Sequence, residues 1–265
     1  MPENALLSLS AIVTLVPAAI LPLRRDHGRD FTFWALLAVA VAGPLSSVLS
    51  SLGGVWRTDL SMTLWVTVAA SMALFAATAA VSREAWRLTP LVCGYMACLA
   101  VLATIWGGAP VKPLGDAAGG WVVVHIVVAV ATYALVTIAA VAALAAFLQE
   151  RALKQKQPTT LTRLLPSVAD CEDLLVRLLV LGEIVLAVGL ATGMALQWKE
   201  TGSILKFDHK TVLTVAAFVV IGGLLAAHFK SGLRGRKAAR IVLLAYLLLT
   251  LGYPGVKFVT DVLLA

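Results

Sequence analysis

Charge is what this sequence lacks most. Asp, Glu, Lys and Arg make up 13% of its 265 residues, about half the share of an ordinary soluble domain. A water-soluble globule needs more polar surface than this, so a sizeable soluble domain is excluded. Cysteine is nearly as sparse. Cys93, Cys98 and Cys171 form neither a CxxC redox pair nor a disulfide framework, and they read as small packing residues. Histidine occurs four times, too few and too scattered for a closed set of metal ligands. No nucleophile stands beside a base and no glycine-rich phosphate loop is present, so the chain is not read as an enzyme.

Apolar runs fill the space instead. Hydrophobic residues make up 60% of the chain, gathered at 5–23, 31–52, 60–81, 88–106, 121–148, 178–198, 211–229 and 241–264. Each approaches the roughly 20 residues that a helix needs to cross about 30 Å of hydrocarbon. An unpaired backbone amide in lipid costs several kcal/mol, so these runs must be helices. The prediction is an all-α polytopic membrane bundle of about eight transmembrane helices, a single integral membrane domain over 1–265 with the lipid bilayer as its first partner. Met1 to Asn4 lacks the basic stretch that opens a signal peptide, so the first run is read as a retained span.

The basic residues orient it. Arg24, Arg25 and Arg29 follow the first run, Arg83 and Arg87 the third, and two further clusters occupy 151–177 and 230–240. Lys and Arg collect on the inner side of membranes, so both termini are expected outside. The net charge of +7 is then a topology signal in short loops, and nucleic acid is not expected as a partner. The inner loop 149–177 is the longest. Its stretch 161–175 mixes leucines with charges and suggests a short amphipathic helix on the membrane surface. The outer segment 107–120, with Pro110 and Pro113, reads as irregular. Trp56, Trp106, Trp121 and Trp198 fall at outer boundaries, where indole rings anchor helices.

Residues 1–106 are rich in Ala, Ser and Thr and read as a four-helix scaffold half, since small side chains let helices pack closely in lipid. Chemistry is expected in 121–265. His27 reads as a plain loop residue. His125 lies one turn into the fifth run, His209 at the outer mouth of the seventh and His228 at its inner end. The nineteen residues between the last two put them about 28 Å apart, so they cannot share a ligand. His125 and His209 fall near the same level and could hold a haem iron between two imidazoles, or each could hydrogen-bond a neighbouring helix. Zinc suits them less, because Asp208 is the one further ligand nearby. Glu183 stands among Leu and Val inside the sixth run. It reads either as a proton or cation relay or as a paired structural acid.

The second half also carries a resemblance. His125-Ile126-Val127-Val128 through Thr132-Tyr133-Ala134-Leu135, then Leu148-Gln149-Glu150-Arg151, Phe207-Asp208-His209-Lys210, Gly232-Leu233-Arg234-Gly235-Arg236 and Gly252-Tyr253-Pro254-Gly255 together resemble the CcsA, CcmC and HemX superfamily of cytochrome c assembly membrane proteins. The likeness is strongest to its short HemX or YpjD-like branch. It covers residue 121 to the C-terminus, while the first four runs add compatible topology. It implies haem handling on the outer face of a bacterial plasma (inner) membrane, alongside other cytochrome c assembly proteins. In the superfamily a tryptophan-rich outer platform holds haem and outer histidines ligate the iron. His125 matches the first of those histidines, His228 an inner-side histidine associated with haem, and Phe207 to Lys210 the end of the platform. Here Phe207 replaces a tryptophan, Thr211 a glutamate and His209 a proline, and the second outer histidine is missing.

The expectation is therefore a haem-binding or haem-handling membrane protein that assists cytochrome c or haem-protein assembly. His125 and His209 are candidate iron ligands, Asp208 and Lys210 lie near the propionates, and His228 is a further cofactor-binding candidate. The alternatives are a transporter or regulator that uses Glu183, and a docking partner for a soluble enzyme through the inner loop 149–177.

Overall fold

A computed structural model describes residues 2–24, 28–52, 59–107, 119–202 and 208–263. His27, Trp56, Phe207 and most of the outer segment 107–120 lie outside the described residues. The first half comprises α1 (Pro2–Arg24), α2 (Phe31–Leu52), α3 (Leu60–Val81) and, after a 3-10 turn at Ala85–Leu88, α4 (Thr89–Ile105). The second comprises α5 (Gly120–Gln155), the short α6 (Thr160–Leu164), α7 (Val168–Thr201), α8 (His209–Ser231) and α9 (Gly235–Thr250). Beyond α9 the chain continues through two wide π-helical turns, Leu251–Gly255 and Val259–Leu263. Among the described residues eight helices are long and apolar enough to cross a membrane, and the protein is an all-α polytopic membrane bundle.

The helix ends follow from local chemistry. Asp59, Ser167 and Asp208 each accept a hydrogen bond from a first-turn amide, which satisfies one of the donors that a helix start leaves orphaned. Gly202 and Gly232 close α7 and α8 at φ 68°, a left-handed conformation open to glycine. Two helices outrun their apolar stretches. α5 continues to Gln155 because residues 149–155 are strong helix formers and Glu150 pairs with Lys154 one turn on. α7 begins ten residues ahead of the expected span. The surface helix expected over 161–175 is therefore reduced to the five residues of α6, and the rest forms the first turns of α7. The reason is continuity: Leu174, Leu175, Leu178 and Leu179 make one buried stripe with no break at the membrane boundary. Little of the 149–177 loop remains as loop.

α1 to α4 pack on one another around Leu15, Leu37, Met72, Phe75 and Met96. α5 is the central element of the second half, set against α3 on one side and α7 and α9 on others, with its alanine-rich stretch from Ile138 to Ala143 buried. Small residues let α7 pack closely on α5: a Cβ built on Gly182 of α7 would stand 3.3 Å from Val136 Cγ2, and one on Gly189 3.5 Å from Val128 Cγ1. A ladder of hydroxyls joins the halves. Tyr95 of α4 meets Tyr246 of α9, whose hydroxyl lies 3.0 Å from that of Tyr133 on α5, and Tyr133 lies 3.1 Å from Thr250 Oγ1. Thr250 gives its proton to the Tyr246 carbonyl at 2.8 Å. Tyr133 therefore donates to Thr250, Tyr246 to Tyr133 and Tyr95 to Tyr246, leaving each hydroxyl a partner in an apolar interior.

Candidate functional site

A cavity of about 370 Å3 opens between α5, α7, α8 and the first π-helical turn. That volume lies within the roughly 300–1,000 Å3 range of small-molecule sites. Its walls on α7 run from Leu186 to Gln197, eleven residues or about 16 Å of helix. Asp208, Lys210 and Gln197 stand at the mouth. Leu186, Leu190, Met194, Ile126 and Ala129 line the interior, with Thr132 and Tyr133 at the far end. Pro254 has no amide proton to give to a regular helix, and the chain answers with the wide turn that carries Gly252 and Tyr253 on the cavity wall.

His125 is half-buried on this wall. Its ring lies against Gly193, where an added Cβ would come within 3.0 Å of Cε1. Nδ1 lies 3.0 Å from Thr192 Oγ1, and that hydroxyl donates to the Gly189 carbonyl, also at 3.0 Å. A hydroxyl has one proton. With that proton on Gly189, Thr192 accepts from His125, so Nδ1 carries the hydrogen and Nε2 keeps a free lone pair. An imidazole that donates through one nitrogen and keeps a lone pair on the other is the arrangement that metal-ligating histidines adopt. Trp121, one turn earlier, donates to the Thr192 carbonyl at 3.3 Å and fastens the same stretch of α5 to α7.

Lys210 faces the cavity from the first turn of α8 with no ion pair among the described residues. The positive end of the α8 dipole lies beside it, so carboxylates are favoured at this mouth. Asp208 is the N-cap of α8, accepting from the Thr211 amide at 2.8 Å. A haem would present an apolar ring edge, two carboxylates and an iron. The residues present offer an apolar slot, an ammonium with a helix N-terminus, and one imidazole.

Positions 26–264 match the family described as Cytochrome C assembly protein. The chain belongs to this family. A sequence from Azospirillum brasilense, described as "Uncharacterized 28.8 kDa protein in nifR3-like 5'region", is 54% identical over 270 residues, covering 100% of each chain. No solved structure matches the chain. The family match begins before α2, so α2 to α4 fall within it and α1 lies outside it.

Within this assembly protein the cavity brings together His125, Asp208 and Lys210. His209 is exposed and is not one of the wall residues. Lys210, Thr211 and Thr214 define the cavity-facing arc of α8, and His209 lies about 100° round the helix from Lys210, outside that arc. His228 sits at the other end of α8. Its Nδ1 donates to the Leu233 carbonyl at 3.0 Å and its ring meets Phe229 edge to face, closing the turn into α9. Glu183 lies one turn below Leu186, against α8, where a Cβ on Gly222 would be 2.9 Å from Oε1. Its Oε2 is buried with no hydrogen-bond partner among the described residues. No group of three His, Cys, Asp or Glu side chains that could hold a metal occurs among the described residues.

Sequence reasoning missed Thr192, Gly193 and the tyrosine ladder. Thr and Gly are ordinary packing residues in membrane helices, and only their register against His125 distinguishes these two. The ladder had a signal: Tyr95, Tyr133 and Tyr246 all fall inside apolar runs, where a hydroxyl needs a partner.

Proposed function

We propose that this protein binds haem in the α5–α7–α8 cavity and handles it for cytochrome c assembly on the outer face of a bacterial plasma membrane. Membership of the cytochrome c assembly family supports the process. The observation that carries the haem reading is the placement of His125 on the cavity wall, with Nδ1 3.0 Å from a Thr192 hydroxyl whose proton goes to the Gly189 carbonyl, an arrangement that assigns the lone pair to Nε2. His125 is the proposed iron ligand. Lys210 and the N-terminus of α8 would receive the propionates through charge-assisted hydrogen bonds. Asp208 shapes the mouth by capping that helix. Bound haem supplies a redox-active iron and a porphyrin edge for transfer; the protein's part is to hold, orient and shield it. His209 belongs to the exposed rim in this reading, and His228 to the opposite end of the bundle. The short HemX or YpjD-like branch is the place we assign it within the superfamily.

The test is an absorption spectrum. Protein purified from haem-replete membranes should show a Soret band that His125→Ala largely removes, while His209→Ala lowers it less. Absence of the band in the parent protein would overturn the reading.

One observation favours a second reading, in which Glu183 carries a proton or cation: its Oε2 is a buried carboxylate oxygen without a partner among the described residues. Under that reading Glu183→Gln abolishes function and His125→Ala does not. Docking of a soluble enzyme on 149–177 has less loop to use, because α5 and α7 take up most of it.

A further inference from the structure

A second opening lies at the far end of the bundle from the cavity mouth. α3 and α7 both pack on α5, and between the end of α3 and the start of α7 they leave a groove of about 530 Å3. Its walls are of two kinds. Part of the wall is apolar and open: Val81, the last residue of α3, is 89% exposed, and Leu181, further along α7 toward the middle of the membrane, is 53% exposed. Leu181 continues along α7 as an exposed stripe through Ile184 and Val188, residues that share one helical face over about 10 Å. At the end of the bundle the walls are charged. Arg177 is taken by Asp173 at 2.8 Å, and Glu84 by Arg87 at 3.4 Å. Two opposite charges stay uncommitted to any ion pair among the described residues. One is the Arg83 guanidinium on the α3 side. The other is the Asp170 carboxylate on the α7 side, which accepts only from Ser167 Oγ at 2.5 Å.

We propose that this groove is a binding site for a phospholipid with a zwitterionic ethanolamine headgroup, its phosphate on Arg83, its ammonium on Asp170 and one acyl chain along Leu181, Ile184 and Val188. The charge pattern selects the headgroup. An anionic glycerol headgroup would satisfy Arg83 and leave Asp170 without a counter-charge. A choline group could offer the charge but no N–H to the carboxylate. The apolar stripe suits a lipid over a water-soluble phosphate ester, since an acyl chain can pack along Leu181, Ile184 and Val188 while its headgroup meets the charged end. The basic residues mark this end as the inner one, so the lipid comes from the inner leaflet. There it would fill the seam between the two halves of the bundle, on the side that no helix covers.

The experiment is native mass spectrometry of the full-length protein in mild detergent. It is titrated separately with ethanolamine, glycerol and choline phospholipids of identical chains, and with free phosphoethanolamine. The parent protein should retain the ethanolamine lipid about tenfold better than the glycerol lipid, and Arg83→Ala should reduce that retention by about tenfold. Asp170→Asn should bring the ethanolamine lipid down to the level of the choline lipid. Arg83→Gln, which keeps the side-chain length, serves as the second variant should Arg83→Ala lose its native helix content. Equal retention of ethanolamine and glycerol lipids, unchanged retention in the folded Arg83 variants, or equal binding of free phosphoethanolamine would each overturn the proposal.

Discussion

In both halves of the bundle a glycine lies hard against a neighbour's side chain. On α2, a Cβ built on Gly43 would fall 2.0 Å from Thr14 Oγ1 and 2.9 Å from Thr14 Cβ. On α7, one built on Gly193 would fall 3.0 Å from Cε1 of His125. The first contact joins α1 to α2, and Thr14 has already given its hydroxyl to the Ala11 carbonyl at 2.7 Å. The second seats an imidazole whose other partner on α7 is Thr192 and whose surroundings open into the cavity. The same close approach that lets apolar helices pack in lipid thus becomes a positioning device where a ring and a cavity meet. Among its described residues the first half has no ionisable side chain at such a contact, and it serves as the wall against which α5 is held.

The comparison can be broken most directly at Gly43. Alanine there meets the Cβ of Thr14, which no rotamer change can move, so α1 and α2 must separate. Gly43→Ala should cost about 1–3 kcal/mol, as overpacking in a tight core does, and should lower the thermal midpoint in detergent. Haem bound per folded molecule should stay at the parent level. If binding fell while the melting curve did not move, the two halves would not be separable in this way.

A smaller and more local effect is expected at Thr192. Thr192→Val keeps the shape but removes the acceptor of the His125 Nδ1 proton, and loss of such an orienting partner costs about tenfold or more in metal-site affinity. Haem affinity should drop by about that factor with little change in melting temperature. Thr192→Ser should restore it. An unchanged affinity for the valine variant would show that the imidazole needs no orienting bond.

The difference between the halves was partly legible in the residues. Spans 31–52 and 60–81 coincide with α2 and α3, because their polar ends, such as the Asp59 cap, coincide with the edges of the apolar runs. α5 and α7 were cut short, since hydropathy marks the hydrocarbon slab while a helix continues into water as long as its formers and its buried stripe continue. At the site, the rise per residue sets depth, and a histidine in an apolar run stands out, so His125 could be singled out. Azimuth is harder. Which side of α8 faces the cavity depends on how that helix packs against α7 and the π-helical turn, and the sequence alone did not reveal that Lys210 would line the wall while the adjacent His209 would not. The orienting pair Thr192 and Gly193 was hidden for the same reason: nothing in α7 alone says that His125 lies opposite.

The smallest stability effect, and the sharpest functional one, belongs to Glu183. It shares a face of α7 with Leu190, Met194 and Gln197, one turn below the cavity, yet its Oε2 has no partner among the described residues. An unpartnered buried polar atom lowers stability, and an apolar replacement of similar size relieves that cost by about 1 kcal/mol. Glu183→Leu should therefore melt at or above the parent temperature. Gln, which keeps the polar atoms, should show no such gain. If the acid serves only packing, cytochrome c maturation in cells carrying Glu183→Leu should match the parent. Should maturation fail while the protein melts higher, the carboxyl is kept at a cost in stability for a task that depends on its proton or charge. That outcome would move the second reading ahead of a purely structural role and place a working group directly beneath the cavity.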